Sequence, residues 1–343
     1  MSSQHLSIYS ADMPELIEKL VQTPQMQRLS DVGMHCGCEY TCTPIYKKAI
    51  LPYSRLMHSS GVAKIVWNFT KDVTQTAAGL LHDIATPVFA HTIDFMHNDH
   101  LLQEATEAKT KTFIENSAQI KALLDKYGIQ IDDVNDYHKY PIADNDTPML
   151  SADRLEYTLG NAHTVFHTDL SKIKEIYDDL AIATNERETA ELCFVSVEIA
   201  KEFAEIALRN SYFYVSDEDR LSMEYLSDVV RYARTCGVLT DDDLYSTETN
   251  VVGKIKSNDA TAKRWEDFSK ITAAAVSEEM VSGEFCVKVF AKKRYIDPLA
   301  LTDSGAKRMS VVDDDMRDKM EAFLSLDFDK YVYPVNKNLG RAK

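Results

Sequence analysis

The chain has 343 residues, 54 of them acidic and 38 basic, for a formal charge of −16. That excess of negative charge disfavours nucleic acid and anionic membrane surfaces as partners. The 45% hydrophobic and 27% charged content excludes a fibrous or disordered chain and matches an ordinary globular protein.

Six cysteines are too few for a disulfide framework, which fits a reduced, cytoplasmic setting. No apolar run reaches the roughly 18 residues that a membrane span needs. The opening MSSQHLSIYSADMPEL lacks the basic-then-apolar pattern of a secretory signal.

The apolar periodicity predicts a mainly α fold. Ile17, Leu20 and Val21, then Met26, Leu29 and Val32, show helical spacing broken at Thr23-Pro24. Val62, Ile65, Val66 and Phe69 form one apolar stripe after His58. Ala77, Leu80, Leu81 and Ile84 surround a His82-Asp83 doublet, which the pattern puts on a buried helix or at its end. Phe113–Leu124 and Leu155–Val165 read as helices, separated by a polar loop at Pro141–Pro148. Glu188–Leu208 reads as the longest uninterrupted helix, and Leu221–Tyr232 follows. From Phe285, FCVKVF alternates with period two. With KKRYIDPLAL and a turn at Asp303-Ser304-Gly305 it predicts a β-hairpin, closed by a helix over Asp314–Leu326. The expected organisation is a helical domain over residues 1–280 and a small C-terminal α+β lobe over 281–343.

Chemistry concentrates in three segments. His58 lies in YSRLMHSSG, His82-Asp83 in AAGLLHDIATPVFAH, and Asp153 in MLSADRLEYTLGN. A buried aspartate beside a histidine in an apolar helix is costly without a partner, and a cation offsets that cost. Two imidazoles and two carboxylates suit one divalent Fe, Mn, Co, Ni, Zn or Mg ion better than a thiolate-type structural zinc. Such an ion polarises a phosphoryl oxygen and activates water, so hydrolysis of a phosphate ester is the expected reaction.

Other clusters carry less. His91, Asp94, His97 and His100 repeat at spacing three, but a helix advances 3.6 residues per turn, so all four cannot face a second ion. His163 and His167 are four apart without the glutamate of an HExxH motif, and read as helix-surface residues. His35, Cys36, Cys38 and Cys42 form HCGCEYTC with no matching distal pair, which reads as a free-thiol loop near a pocket. Trp67 and Trp265 read as core anchors.

Taken together, TPQMQRLSDVG, YSRLMHSSGVA, AAGLLHDIATPVFAHTIDF, SADRLEYTLGNA, TDDDLYSTE and KKRYIDPLAL resemble the HD-domain phosphohydrolases. The likeness is strongest to the deoxynucleoside-triphosphate triphosphohydrolase branch. It implies an HD-type helical core with the metal on His58, His82, Asp83 and Asp153. It also implies Arg55 facing metal and phosphate, Arg154 on phosphate and Tyr157 near the substrate. His91, oriented by Asp94, matches a leaving-group acid. The substrate implied is a nucleotide, and relatives form oligomers, so a homo-oligomer is implied too.

The chain departs from that pattern at several points. ATPVFAH replaces a Gly-His-Gly-Pro-like stretch, so Thr86 stands for a phosphate-contacting histidine and Gln103 for a second one. Asn161 stands for an aspartate near the sugar, and Met34 and His35 for a glutamine–leucine pair. Asn185–Leu192 is acidic where the family is basic. An intact centre with a reworked phosphate grip leaves two further readings: a catalytically weak nucleotide-binding regulatory protein, and an HD-type di-iron oxygenase.

Overall fold

Three helices carry the site, and each begins where the sequence supplies a cap. In the computed structural model, which describes residues 5–47, 51–96 and 109–336, the helix Arg55–Thr70 starts after Ser54, whose side chain accepts from Met57 N. The helix Val73–Leu81 starts after Asp72, which accepts from Thr74 N and Gln75 N. The helix Ala152–Thr164 starts after Ser151, which accepts from Arg154 N. Each cap satisfies a backbone N–H that has no partner inside its helix. Arg55–Thr70 packs between the other two.

The main core lies behind these helices. Leu16, Ile17, Leu20, Val62, Ile65, Leu80, Leu155 and Leu159 are sealed from solvent in it. A second core gathers Phe89, Leu226, Val230, Trp265 and Phe268 around the helix Asp217–Thr235. The break expected at Thr23-Pro24 separates helices Glu15–Val21 and Pro24–Arg28. No helix among the described residues is long and apolar enough to cross a membrane.

Two small sheets complete the fold. Strands β1 (Leu180–Thr184) and β2 (Ala190–Phe194) pair antiparallel. β3 (Ala273–Ser277) and β4 (Val287–Lys288) both pair with the strand Tyr331–Val335. β5 (Leu299–Thr302) and β6 (Gly305–Arg308) form the hairpin expected at Asp303-Ser304. β2 also runs parallel to β5, giving the sheet order β1-β2-β5-β6. The C-terminal hairpin thus continues a sheet begun more than a hundred residues earlier in the chain. The mainly helical fold with a small strand region near the C-terminus agrees with the sequence reading.

Three expectations need correction. The stretch Glu188–Leu208 is not one helix: it begins in a turn and passes through β2, and the helix runs Val197–Tyr214. Glu188 has a left-handed φ of 58°, and Leu192, Cys193 and Phe194 are all buried, the mark of a covered strand. Phe113–Leu124 is divided at Ser117, whose hydroxyl caps the second helix, Ala118–Lys126. The Phe285–Phe290 stretch contributes only the two-residue β4, and its partner is the Tyr331–Val335 strand rather than the hairpin.

Candidate metal centre

His58 lies one turn into its helix, and His82 is the C-cap residue of Val73–Leu81. Each imidazole is oriented from behind by an acceptor. His58 Nδ1–H donates to Glu156 Oε2 at 2.6 Å. His82 Nδ1–H donates to the Gly79 carbonyl at 2.8 Å. With Nδ1 engaged in both rings, both Nε2 atoms turn toward the same two carboxylates. His58 Nε2 is 2.9 Å from Asp153 Oδ1. His82 Nε2 is 3.7 Å from that oxygen and 3.5 Å from Asp83 Oδ2. His58, His82 and Asp83 each offer a ligand atom within 4.8 Å of the others, and Asp153 stands outside that group, against the two histidines.

This donor set fits a divalent cation. Anchored Nδ1–H groups leave Nε2 as the ligand atom, an arrangement that metal-binding histidines use widely. Burial draws the proton affinity of His58 down, but hydrogen bonds to Asp153 and Glu156 outweigh it and lift the pKa to about 10. Burial pushes Asp83 and Asp153 upward. Arg55 and the histidines around Asp83, and His58 above all beside Asp153, hold both carboxyls well below the usual carboxylate range. With His58 protonated and Arg55 on Asp83, both carboxylates are charge-paired, so a divalent ion binding there would displace the second proton of His58.

Asp83 is itself held at both oxygens. Arg55 Nη1 donates to Oδ2 at 3.0 Å, and Thr86 Oγ1 donates to Oδ1 at 2.6 Å. Arg28 clamps the loop after the doublet by donating to the carbonyls of Ile84, Thr86 and Ser246. Beyond it Phe89 and Ala90 adopt left-handed φ values of 65° and 42°. Such conformations cost about 1–2 kcal/mol per residue and persist where packing overrides them. Phe89, fully buried beside Tyr40 and Trp265, supplies that packing. The turn delivers His91 to the same cavity, just ahead of the short helix Thr92–Met96.

The cavity measures about 170 Å³. Arg55, His58, His82, Asp83, His91, Asp153, Tyr157 and Asn161 all line it, so eight of the residues singled out in the sequence converge. Asn161 Nδ2 donates to Tyr214 Oη at 2.6 Å, while its Oδ1 is buried without a hydrogen-bond partner. Met34, His35, Cys36 and Thr86 line the cavity too. Burial and the nearby Arg55 lower the His35 pKa to about 4, so its ring is neutral at pH 7. Burial pushes the Cys36 thiol up to about 12, and all six cysteines are free. Among the described residues these thiols form no ligand cluster.

Arg154 is the exception. Its guanidinium turns away from the cavity and donates to Asn145 Oδ1 at 2.6 Å and to the Met149 carbonyl, and it pairs with Asp144 at 3.1 Å. The polar loop that precedes the helix folds back and claims it, so the phosphate role does not fit its position. The acidic Asn185–Leu192 stretch also lies off the cavity, with Glu186 and Glu191 both paired to Arg308 of β6. His163 and His167 do not share a helix, which ends at Thr164. Gln103, His97 and His100 lie outside the described residues, as does the side chain of Asp94.

Sequence reasoning missed the group behind His58. Glu156 is fully buried and also accepts from Tyr53 Oη at 2.5 Å and from His5 Nε2 at 3.2 Å. Its i, i+3 relation to Asp153 on one helix was the available signal. Tyr137, stacked on His82 with ring centroids 4.7 Å apart, had none. Lys292 and Arg294 of the KKRYIDPLAL segment also line the cavity.

The chain is similar over part of its length to a metal-dependent phosphohydrolase, and its helical fold is shared with a solved phosphohydrolase structure. No protein-family model matches the chain. It is 24% identical over 311 residues to the uncharacterized protein YdhJ of Bacillus subtilis, covering 90% of each chain. It is 29% identical over 154 residues to the metal-dependent phosphohydrolase cns2 of Cordyceps militaris, a match spanning 43% of this chain and 41% of that one. Among solved structures, a phosphohydrolase of Bacteroides thetaiotaomicron superposes with a TM-score of 0.64 at 14% identity, covering 95% of this chain and 97% of the other. A hypothetical protein of Aquifex aeolicus superposes with a TM-score of 0.63 at 17% identity, covering 94% and 93%.

Proposed function

We propose that this chain is a metal-dependent phosphohydrolase that cleaves a nucleotide phosphate ester. The observation that carries the reading is the convergence of two back-anchored imidazoles and two ionised carboxylates in one cavity. His58, His82, Asp83 and Asp153 would hold one divalent ion. That ion supplies Lewis acidity toward a phosphoryl oxygen and acidifies water.

The chain's own residues do the rest. Arg55 keeps one edge on Asp83 and lines the cavity, so it offers charge to a phosphate entering an otherwise acidic centre. His91 would deliver the proton that the leaving oxygen needs, and the resemblance to the HD-domain phosphohydrolases gives Asp94 the role of orienting it. Tyr157 and Asn161 line the same cavity and would contact the substrate. The aromatic walls at Tyr46, Tyr157, Phe213 and Tyr214, interrupted by His35 and Asn161, suit a flat polar group such as a nucleoside.

The test is a turnover screen. Chelator-stripped protein is reloaded separately with Mn, Fe, Co, Ni, Zn and Mg. It is then offered nucleoside mono-, di- and triphosphates and a generic phosphodiester, with released phosphate as the readout. Turnover with at least one nucleotide, lost in Asp153→Ala, is the expected result. Tight nucleotide binding with no turnover under any metal would instead favour the regulatory reading.

A further inference from the structure

We propose that His5 is a positioning residue for the metal centre, acting through Glu156 on His58. The inference rests on the reading of His58 as a metal ligand and extends it to a residue 151 positions away from the carboxylate it touches.

Glu156 is a sealed carboxylate with three donors. Oε2 accepts from His58 Nδ1 and from Tyr53 Oη, while Oε1 accepts from His5 Nε2 at 3.2 Å. His5 is thus the partner of the oxygen that the centre itself does not use. His5 and Glu156 are both 0% exposed, so water cannot replace the donor.

The packing around Glu156 is built for this arrangement. A Cβ on Gly61 would lie 2.5 Å from Glu156 Cγ, so the glycine opens the slot in which the carboxylate lies. A Cβ on Gly160 would lie 2.3 Å from Tyr53 Oη. The segment bearing His5 is tied down separately. Tyr177 Oη donates to the Tyr9 carbonyl at 2.7 Å, and Lys64, on the helix that carries His58, donates to the Ser10 carbonyl at 2.7 Å. The His5 ring meets Tyr53 and Tyr9 edge-on, at 5.7 and 6.0 Å between centroids.

The consequence is physical. A carboxylate behind a ligating imidazole fixes the ring's tautomer and orientation and raises its basicity. A carboxylate that loses one donor in a dry site rotates to share the remaining donors. That rotation weakens its hold on His58 Nδ1. His5 therefore keeps Glu156 aimed.

The experiment compares Co(II) binding to chelator-stripped wild type, His5→Gln and His5→Asn, with affinity from titration and ligand geometry from the visible Co(II) spectrum. Glutamine keeps an amide donor within reach of Glu156, whereas the shorter asparagine does not. His5→Asn is expected to bind Co(II) about tenfold more weakly with an altered spectrum, and His5→Gln to stay near wild type. The proposal is overturned if His5→Asn melts lower yet keeps wild-type affinity and spectrum, which would make His5 a packing residue only. It is equally overturned if His5→Gln is as impaired as His5→Asn. Failure of the wild type itself to bind Co(II) would remove the metal centre, a different result from either.

Discussion

Thr86 donates its hydroxyl to Asp83 Oδ1 at 2.6 Å, three residues along the chain, while Arg55 takes the opposite oxygen at 3.0 Å. Thr86 therefore braces a candidate metal ligand from a position that also lines the cavity.

Removing that brace should loosen the metal. Thr86→Val keeps the shape and deletes the hydroxyl, leaving Asp83 one donor short. We expect metal affinity to fall about tenfold, with Thr86→Ser close to wild type. Calorimetric titration of the stripped protein decides. Equal affinity in the valine variant would show that Arg55 alone orients the carboxylate.

Gly61→Ala reverses the usual rule for helix interiors. Alanine normally stabilises a helix by about 1 kcal/mol relative to glycine. Here the new Cβ would meet Glu156 Cγ at 2.5 Å, and hydrogen bonds to three partners pin that side chain. Overpacking costs about 1–3 kcal/mol, so the net effect should be destabilising. Urea denaturation measures it, and a stabilised variant would mean that the Glu156 cradle yields freely.

Arg154 separates a structural from a substrate role. Its pairing with Asp144 is largely buried, with the side chains 13% and 7% exposed. Losing one partner of such a pair costs about 3 kcal/mol or more. Arg154→Gln should lower the melting temperature and leave KM nearly unchanged. A raised KM at unaltered stability would restore the phosphate role.

Asp219, which lines the same cavity, gives the fold a pH dependence. Burial lifts its pKa from 3.8 to about 7 against the opposing hydrogen bond from Tyr46. Between those values the folded state holds a proton that the unfolded chain has released. The stability linked to that proton is complete below the unfolded pKa and is lost as pH rises through about 7. The amount is on the order of a few kcal/mol. Asp219→Asn should flatten the change in melting temperature between about pH 4 and 7. An unchanged slope would remove Asp219 as its source.

Legibility followed the range of the interaction. The apolar stripes are local and put the doublet at the end of a buried helix as expected, whereas the Ser54 and Ser151 caps start their helices early enough to include His58 and Asp153, which the stripes alone did not. The Glu188–Leu208 reading failed because helical periodicity alone does not separate a short covered strand from a helix end. Ser196 stands immediately before the helix Val197–Tyr214, but its hydroxyl donates to Asp179 rather than capping the helix. Arg154 sits in the first turn of its helix, where the preceding loop engages its guanidinium through Asn145, Met149 and Asp144.

What the amino-acid order determined by itself is an inventory: which nitrogens and oxygens exist for chemistry, and which helices carry them, since capping and period act within a few residues. The tertiary structure decided their aim. It turned Nε2 of both histidines into one cavity, drew Arg154 out of it, and set Tyr53 and His5 on Glu156. Those contacts join residues 103 and 151 positions apart, and packing selects them through sealed volume and unmet hydrogen bonds, which no local pattern records.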